Sequence, residues 1–96
     1  MGEETLLLNC RRQIDKIDRE IWRLLARRTK IVEKIGCWKK KSGMLIRDPL
    51  REEEIIRQKR LQAVVYGLDP DFVESVYRKI FDYGVAIQQK IHEGKK

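Results

Sequence analysis

Residues that build metal centres and disulfide frameworks are scarce in this sequence. It contains one histidine, His92, and two cysteines, Cys10 and Cys37, among 96 residues. Without a paired cysteine spacing, this set predicts no zinc or iron site. The two cysteines lie 27 positions apart on one predicted helix, which is about 40 Å of helical rise, so they cannot pair within one chain. Free thiols are typical of the cytoplasm, which is the localisation we expect.

Long apolar runs and alternating strand patterns are also missing. The run Leu6–Leu8 is too short for the core of a signal peptide, and acidic residues precede it. No stretch is long enough to cross a membrane. Two prolines and six glycines in a chain that is 39% charged are compatible with extensive helix. We therefore expect an all-α protein without a membrane partner, and the length predicts a single domain over residues 1–96.

Positive charge is concentrated in the first half of the chain. The formal net charge is +7. Residues 9–47 contain 13 Lys and Arg against 4 Asp and Glu, whereas residues 48–96 contain 9 of each kind. A basic half of this kind predicts an anionic partner, which is a nucleic acid, an acidic membrane surface or a negatively charged metabolite.

Start and stop signals divide the chain into three predicted helices. Their predicted bounds are residues 5–42, about 49–66, and 70 to the tail at Gly94. Asp48-Pro49 and Asp69-Pro70 each place a capping carboxylate before a proline that can only occupy the first turn of a helix. Gly43 and Gly67 end the first two helices.

The first predicted helix has a seven-residue apolar repeat with one charged exception. Its seam consists of two lines: Leu7, Ile14, Ile21, Arg28, Ile35 and Cys10, Ile17, Leu24, Ile31, Trp38. A guanidinium at Arg28 is costly on such a seam unless an anion meets it there. Lys39 follows eleven residues later at nearly the same azimuth. The pattern predicts a site for a small anion inside a helical bundle.

The predicted length of this helix is too great for a compact monomer. About 38 residues rise ~57 Å, whereas a compact chain of this size has a diameter of roughly 32 Å. A second copy of the chain would cover the remaining apolar stripe, so we expect an obligate, intertwined homodimer. Arg11 lies about 25 Å along the helix from Arg28 and could therefore complete the partner's pocket.

The second and third predicted helices offer further polar candidates. Arg51 and Glu52 stand in the first turn of the second helix, where an acid is favourable even without a function. Gln88 follows the core position Ile87, and Gly84 interrupts the apolar stripe one turn earlier, which allows a large group to approach closely. With the two cations, these residues predict an enclosed site for a small polycarboxylate that carries a hydroxyl. The sequence contains no nucleophile set, metal set or Gly-rich phosphate loop.

The same residues carry a resemblance to a known family. The chain resembles the all-helical, AroQ-type chorismate mutases, which are intertwined dimers. Five motifs in the family's order cover nearly the whole chain: Arg11-x-x-Ile14-x-x-x-Asp18, Leu24-Leu25-Ala26-x-Arg28, Ile35-Gly36-x-x-Lys39, Arg47-Asp48-Pro49-x-Arg51-Glu52 and Gln88-Gln89.

The resemblance implies the rearrangement of chorismate to prephenate without a covalent intermediate or a cofactor. It implies that Arg28 and the partner's Arg11 hold the two substrate carboxylates. Lys39 is then expected to reach a carboxylate and the ether oxygen. Gln88 is expected to donate to that oxygen from the other side.

The resemblance also implies roles for the second helix. Glu52 and the backbone near Asp48 are expected to bind the ring hydroxyl, and Arg51 lines the pocket. Gly84 departs from the small hydroxyl-bearing residue or alanine that the family often has there. Glycine removes a possible donor to a substrate carboxylate, which affects affinity more than the type of reaction.

Three other functions remain open from the sequence. A lyase of the same fold would act on isochorismate and release pyruvate, although Gln88 and Glu52 favour the mutase. A basic helical dimer could bind nucleic acid, but Arg28 faces the seam and no recognition helix stands out. A non-catalytic helical scaffold is the third alternative.

Overall fold

A computed structural model describes residues 2–94 of the chain as three α-helices. They are α1 (Gly2–Ser42), α2 (Pro49–Val65) and α3 (Pro70–His92), and no strand occurs within the described residues. The prediction of an all-α chain with one very long N-terminal helix is confirmed. None of the helices in residues 2–94 combines the length and the apolar character that crossing a bilayer requires.

Two helix boundaries differ from the predicted ones by a few residues. α1 begins at Gly2 instead of residue 5, and two glutamates in its first turn interact favourably with the helix dipole. α2 ends at Val65, and Tyr66 is its C-cap. Gly67 follows with φ at +72°, a left-handed conformation that glycine adopts without strain.

The two Asp-Pro pairs begin their helices as predicted. The Asp48 carboxylate accepts a hydrogen bond from the backbone amide of Arg51 at 3.1 Å. The Asp69 carboxylate accepts one from the backbone amide of Asp71 at 2.9 Å. Each cap satisfies a helix amide that has no partner inside the helix, which typically contributes about 1 kcal/mol. The Asp48 cap therefore determines where α2 begins and hence places Arg51 and Glu52 in its first turn.

The chain divides into two compact units between Ile31 and Val32. In the first unit, no apolar residue between residues 2 and 31 is buried. Nine of its large apolar side chains are between 48% and 69% exposed: Leu6, Leu7, Leu8, Ile14, Ile17, Ile21, Trp22, Leu24 and Ile31. This unit therefore has an apolar helix face but no core of its own.

The second unit has a small core built by the end of α1, α2 and α3. Ile56, Ala63, Phe81 and Ile91 are each at most 9% exposed. Tyr77 packs edge-on against Phe81, with the ring centroids 6.2 Å apart. Ile56 and Ala63 are the buried residues of α2.

Ion pairs join α2 to α3 beside this core. Arg78 contacts Glu53 and Glu74, each at 2.9 Å. Arg60 contacts Asp71 at 3.0 Å and Glu74 at 2.9 Å. Because these side chains are partly exposed, the pairs determine helix register more than they add stability.

Replacing Glu53 with glutamine should make unfolding less sensitive to acid. Hydrogen bonds from Arg78, and then its charge, hold the pKa of Glu53 below its usual range. A depressed pKa stabilises the fold above the ordinary glutamate pKa of about 4.3, and this contribution is lost as the pH falls through the folded-state pKa. We expect Glu53→Gln to lower the urea midpoint at pH 7 more than at pH 3. An equal shift at both pH values would contradict this assignment.

Candidate active site

Gln88 is the polar side chain that α3 holds most deeply. It is 8% exposed, and its Oε1 atom has no hydrogen-bond partner within residues 2–94. Leaving a buried polar atom unpaired costs about 1–3 kcal/mol, and native structures contain few such atoms. Because Oε1 is an acceptor, its missing partner is a donor, which an ordered water or a hydroxyl of a bound molecule can supply.

The Gln88 side chain lies where α1 and α3 pack closely against each other. Gly36 is buried, and a Cβ atom placed on it would lie 3.0 Å from Cγ of Gln88 and 3.2 Å from Cδ1 of Ile91. Gly84 lies one turn before Gln88 on α3. A Cβ atom on Gly84 would lie 3.6 Å from Cγ1 of Val32, which is an ordinary contact. Gly36 is therefore the glycine at which the missing side chain allows the two helices to approach.

Lys39 lies three residues after Gly36, in the last turn of α1. Its side chain is half-buried, and Nζ donates a hydrogen bond to the carbonyl oxygen of Ile46 at 2.6 Å. A cation at this position also interacts favourably with the C-terminal end of the helix dipole. The ammonium is thus held at the end of α1 that contacts Gln88, while it ties the connection before α2 to that helix.

Arg47 holds the Glu52 side chain, although the sequence predicts no role for Arg47. The Glu52 side chain is 17% exposed and receives hydrogen bonds from Arg47, from Nε at 2.9 Å and from Nη2 at 3.3 Å. Arg47 also contacts Asp82 of α3 at 2.9 Å. Hydrogen bonds to Glu52, and then to Asp82, raise the pKa of Arg47. Arg47 therefore orients the Glu52 side chain, and only the folded chain brings Asp82 to Arg47.

Asp48 and Arg51 are more exposed than the other candidates of α2. The Asp48 carboxylate is engaged in the helix cap, which leaves the nearby backbone as the group that could meet a ligand. The Arg51 guanidinium pairs with Glu54 at 2.9 Å, and both side chains are more than half exposed. The structure brings neither side chain into contact with Gln88 or Lys39.

Arg11 and Arg28 belong to the first unit, which ends at Ile31. Arg11 is exposed, whereas Arg28 is half-buried. Neither forms an ion pair or a side-chain hydrogen bond with another residue of the described chain. Both cations remain predicted site residues whose charges are available to an anion.

A separate pocket of about 390 Å³ lies where α2 turns into α3. Its lining is mainly apolar and aromatic, with Ala63, Tyr66, Phe72 and Tyr77 among the lining residues. The cation at this pocket is Lys59, whose Nζ stands 5.5 Å from the ring centroid of Tyr77. None of the eight predicted site residues lines it, and one lysine does not match a small polycarboxylate.

The second unit therefore presents an ammonium, a carboxylate with its own arginine, and a buried amide. Within residues 2–94, no three His, Cys, Asp or Glu side chains come together as a metal site. Such a set can hold an anionic molecule with a hydroxyl and can stabilise negative charge that develops on it. The sequence predicted roles for Lys39, Glu52 and Gln88, and it gave no sign of the support from Arg47 or the contact at Gly36.

Comparison with known proteins gives a consistent family relationship. Residues 10–89 match the family model described as chorismate mutase type II, a span that contains all eight predicted site residues. A chorismate mutase of Methanocaldococcus jannaschii is 26% identical over 91% of this chain and 88% of its own length.

Longer relatives match the chain over part of their own length. A bifunctional chorismate mutase/prephenate dehydratase of Aquifex aeolicus is 38% identical over 88% of this chain, which corresponds to 24% of that protein. A T-protein of Haemophilus influenzae is 36% identical over 76% of this chain and 19% of its own length. The chain thus spans about a quarter or less of these two relatives.

Proposed function

Because the chain belongs to the type II chorismate mutase family, we propose that it converts chorismate to prephenate. The observation that carries the proposal is the burial of the Gln88 side chain, whose amide nitrogen is a neutral donor, beside the α1 turn that leads to Lys39. Chorismate has two carboxylates, a ring hydroxyl and an ether oxygen, which are groups that cations, an acceptor and an amide donor can bind.

The proposed reaction needs positioning and electrostatic stabilisation from the protein. The ether C–O bond breaks while a C–C bond forms within the same molecule, and no proton is transferred. The substrate must be held in a compact conformation that is minor in water, which is catalysis by orientation. The ether oxygen gains negative charge as its bond breaks, so fixed donors interact more strongly with the transition state than with the ground state.

The side chains divide these tasks by their charge. Lys39 and Gln88 act on the ether oxygen, Lys39 as a cation and Gln88 as a neutral donor through its amide nitrogen. Arg28 binds one carboxylate, and Lys39 also reaches it. Glu52, which Arg47 orients, accepts a hydrogen bond from the ring hydroxyl, with the backbone near Asp48 beside it. Arg51 lines the pocket.

The second carboxylate requires a second copy of the chain in this proposal. The row of exposed apolar residues in the first unit gives α1 a face that would be covered by a partner helix. Arg11 of that unit is exposed and has no ion pair in the described chain, so we assign it to the pocket of the partner subunit. The proposed assembly is an intertwined homodimer with two equivalent sites. Cytoplasmic localisation is also proposed, because Cys10 and Cys37 are free within the described residues.

A direct assay tests the proposed activity. Purified protein is incubated with chorismate, and the loss of chorismate absorbance is followed together with the appearance of prephenate. A parallel incubation with isochorismate measures pyruvate release. Turnover of chorismate supports the mutase, pyruvate from isochorismate alone would favour the lyase, and no turnover of either would reject both.

Replacing Gln88 with glutamate should confine activity to acidic solution. A carboxyl group can donate to the ether oxygen only when protonated, whereas the amide donates at every pH. We expect the kcat of Gln88→Glu to fall about tenfold per pH unit above the pKa of the new carboxyl. The wild-type profile should show no corresponding loss near neutrality. A flat profile for the variant would contradict the donor role of Gln88.

A further inference from the structure

At Gly36, α1 packs tightly against the Gln88 side chain of α3. The position that a Gly36 Cβ would occupy is 3.0 Å from Cγ of Gln88 and 3.5 Å from its Cα. A Cβ contact of 3.0 Å is tighter than nine in ten such contacts in proteins, so an alanine at this position would require the Gln88 side chain to move by a few tenths of an ångström. The hydrogen at Gly36 thus determines how far the amide-bearing chain can extend toward α1.

Two hydrogen bonds join the helices about one turn beyond Gln88 on α3. Nε2 of His92 donates to the carbonyl oxygen of Gly36 at 3.1 Å, which requires the hydrogen to be on Nε2. Nζ of Lys40 donates to the carbonyl oxygen of Ile91 at 3.0 Å. The second bond satisfies one of the carbonyls that the end of a helix leaves without a partner. One bond runs from α3 to α1 and the other from α1 to α3.

From this arrangement we propose that Gly36 and His92 are positioning residues for Gln88. The inference rests on the proposed function, because it concerns the amide to which that function assigns a donor role. Neither residue touches the substrate in this proposal. Gly36 provides the space that Gln88 occupies, and His92 keeps α3 against α1 so that this space stays closed.

A hydrogen bond from the protein to the Gln88 amide oxygen does not hold this side chain in place. Oε1 of Gln88 gains no hydrogen bond within residues 2–94, so polar contacts of its own cannot fix the side chain. Packing of Cγ on Gly36 and the two helix-to-helix hydrogen bonds must do so instead. A misplacement of about 1 Å in a catalytic group can reduce the rate about 100-fold, so a shift of a few tenths of an ångström should still lower turnover measurably.

Gly36→Ala tests the packing part of the inference. We expect kcat to fall about tenfold while KM changes less than about threefold, because a donor that acts in the transition state is displaced. The new Cβ also approaches Cδ1 of Ile91 at 3.2 Å. Ile91→Val removes that atom and should retain wild-type kcat. Gly36→Ala combined with Ile91→Val should regain melting temperature without regaining kcat.

The His92 variants test the hydrogen bond. His92→Gln places an amide nitrogen near the position of Nε2 and should keep at least half of the wild-type kcat. His92→Leu fills similar space without a donor and should lower kcat about tenfold, again with little change in KM. Equal kcat values for the two variants would remove His92 from the proposal.

An activity-independent measurement separates this inference from the proposed function. The side-chain amide resonances of Gln88, assigned by their loss in Gln88→Ala, are recorded in the ligand-free protein. They should shift in Gly36→Ala and His92→Leu but not in Ile91→Val or His92→Gln. Inactive wild-type protein with these shifts would reject the function and keep the positioning role. Active Gly36→Ala protein with unshifted resonances would overturn the inference.

Discussion

Lys39→Ala should lower kcat by at least about 10²–10³-fold and leave the three helices folded. This is the loss that removal of one fixed donor to a developing oxyanion typically causes, about 3–4 kcal/mol. In the free protein, Nζ of Lys39 is held by the carbonyl oxygen of Ile46 at 2.6 Å. The ammonium is therefore already placed at the end of α1, and little reorganisation is needed when the ether oxygen gains charge.

The matched control for this prediction is Lys41→Ala. Lys41 also lies in the last turn of α1 and carries the same charge, but it is exposed. Removing it should leave kcat within about twofold, because exposed charges act weakly through solvent. Turnover is measured at saturating chorismate, and the melting temperature is followed by circular dichroism. Near wild-type turnover in Lys39→Ala, or equal losses in both variants, would contradict the mechanism.

Two inactive variants should restore activity to each other when they share a dimer. Arg11→Ala lacks the cation that a subunit is proposed to donate, and Gln88→Ala lacks the donor that a subunit keeps in its own site. In a mixed dimer, one site then contains both an intact Gln88 and an intact Arg11, while the other lacks both. Equal amounts unfolded and refolded together should regain about one quarter of wild-type activity, since half of the dimers are mixed.

The control mixture combines Arg28→Ala with Gln88→Ala. Both residues are proposed to serve the site of their own subunit, so every site in a mixed dimer lacks one of them. This mixture should remain as inactive as its components. Light scattering must give a dimer mass for each variant, since a folded, active monomer of 11.5 kDa would contradict the assembly. Recovery in both mixtures, or in neither, would falsify the donation of Arg11.

Local signals made much of the fold predictable from the sequence. The Asp48 and Asp69 caps act on backbone amides two or three residues away, and Gly43 and Gly67 end their helices by their own φ angles. Such interactions depend on neighbouring residues, so the sequence contains all the information they need. The apolar repeat predicts that α1 starts at residue 5, whereas the helix begins at Gly2. The additional turn contains two glutamates, which the helix dipole favours although they add no apolar signal.

Candidate site residues were predictable to the extent that they interrupt a pattern. Arg28 breaks an apolar seam, and Gln88 stands at the edge of a core stripe. Arg47 gave no such signal, although it lies within a recognisable motif. Its function as the support of Glu52 depends on Asp82, 35 positions further along the chain. A contact at that sequence separation is decided by how α2 packs on α3, and no local pattern indicates it.

The amino-acid sequence by itself determined the helices, their caps, the uneven charge and the candidate cations, because each follows from interactions within a few residues. Tertiary packing decided that Gln88 is buried with an oxygen lacking any partner in residues 2–94, and that Gly36 lies against it. Burial and close approach arise from atoms that distant parts of the chain bring together. The environment of the Gln88 amide is therefore set by the packing of α1 against α3.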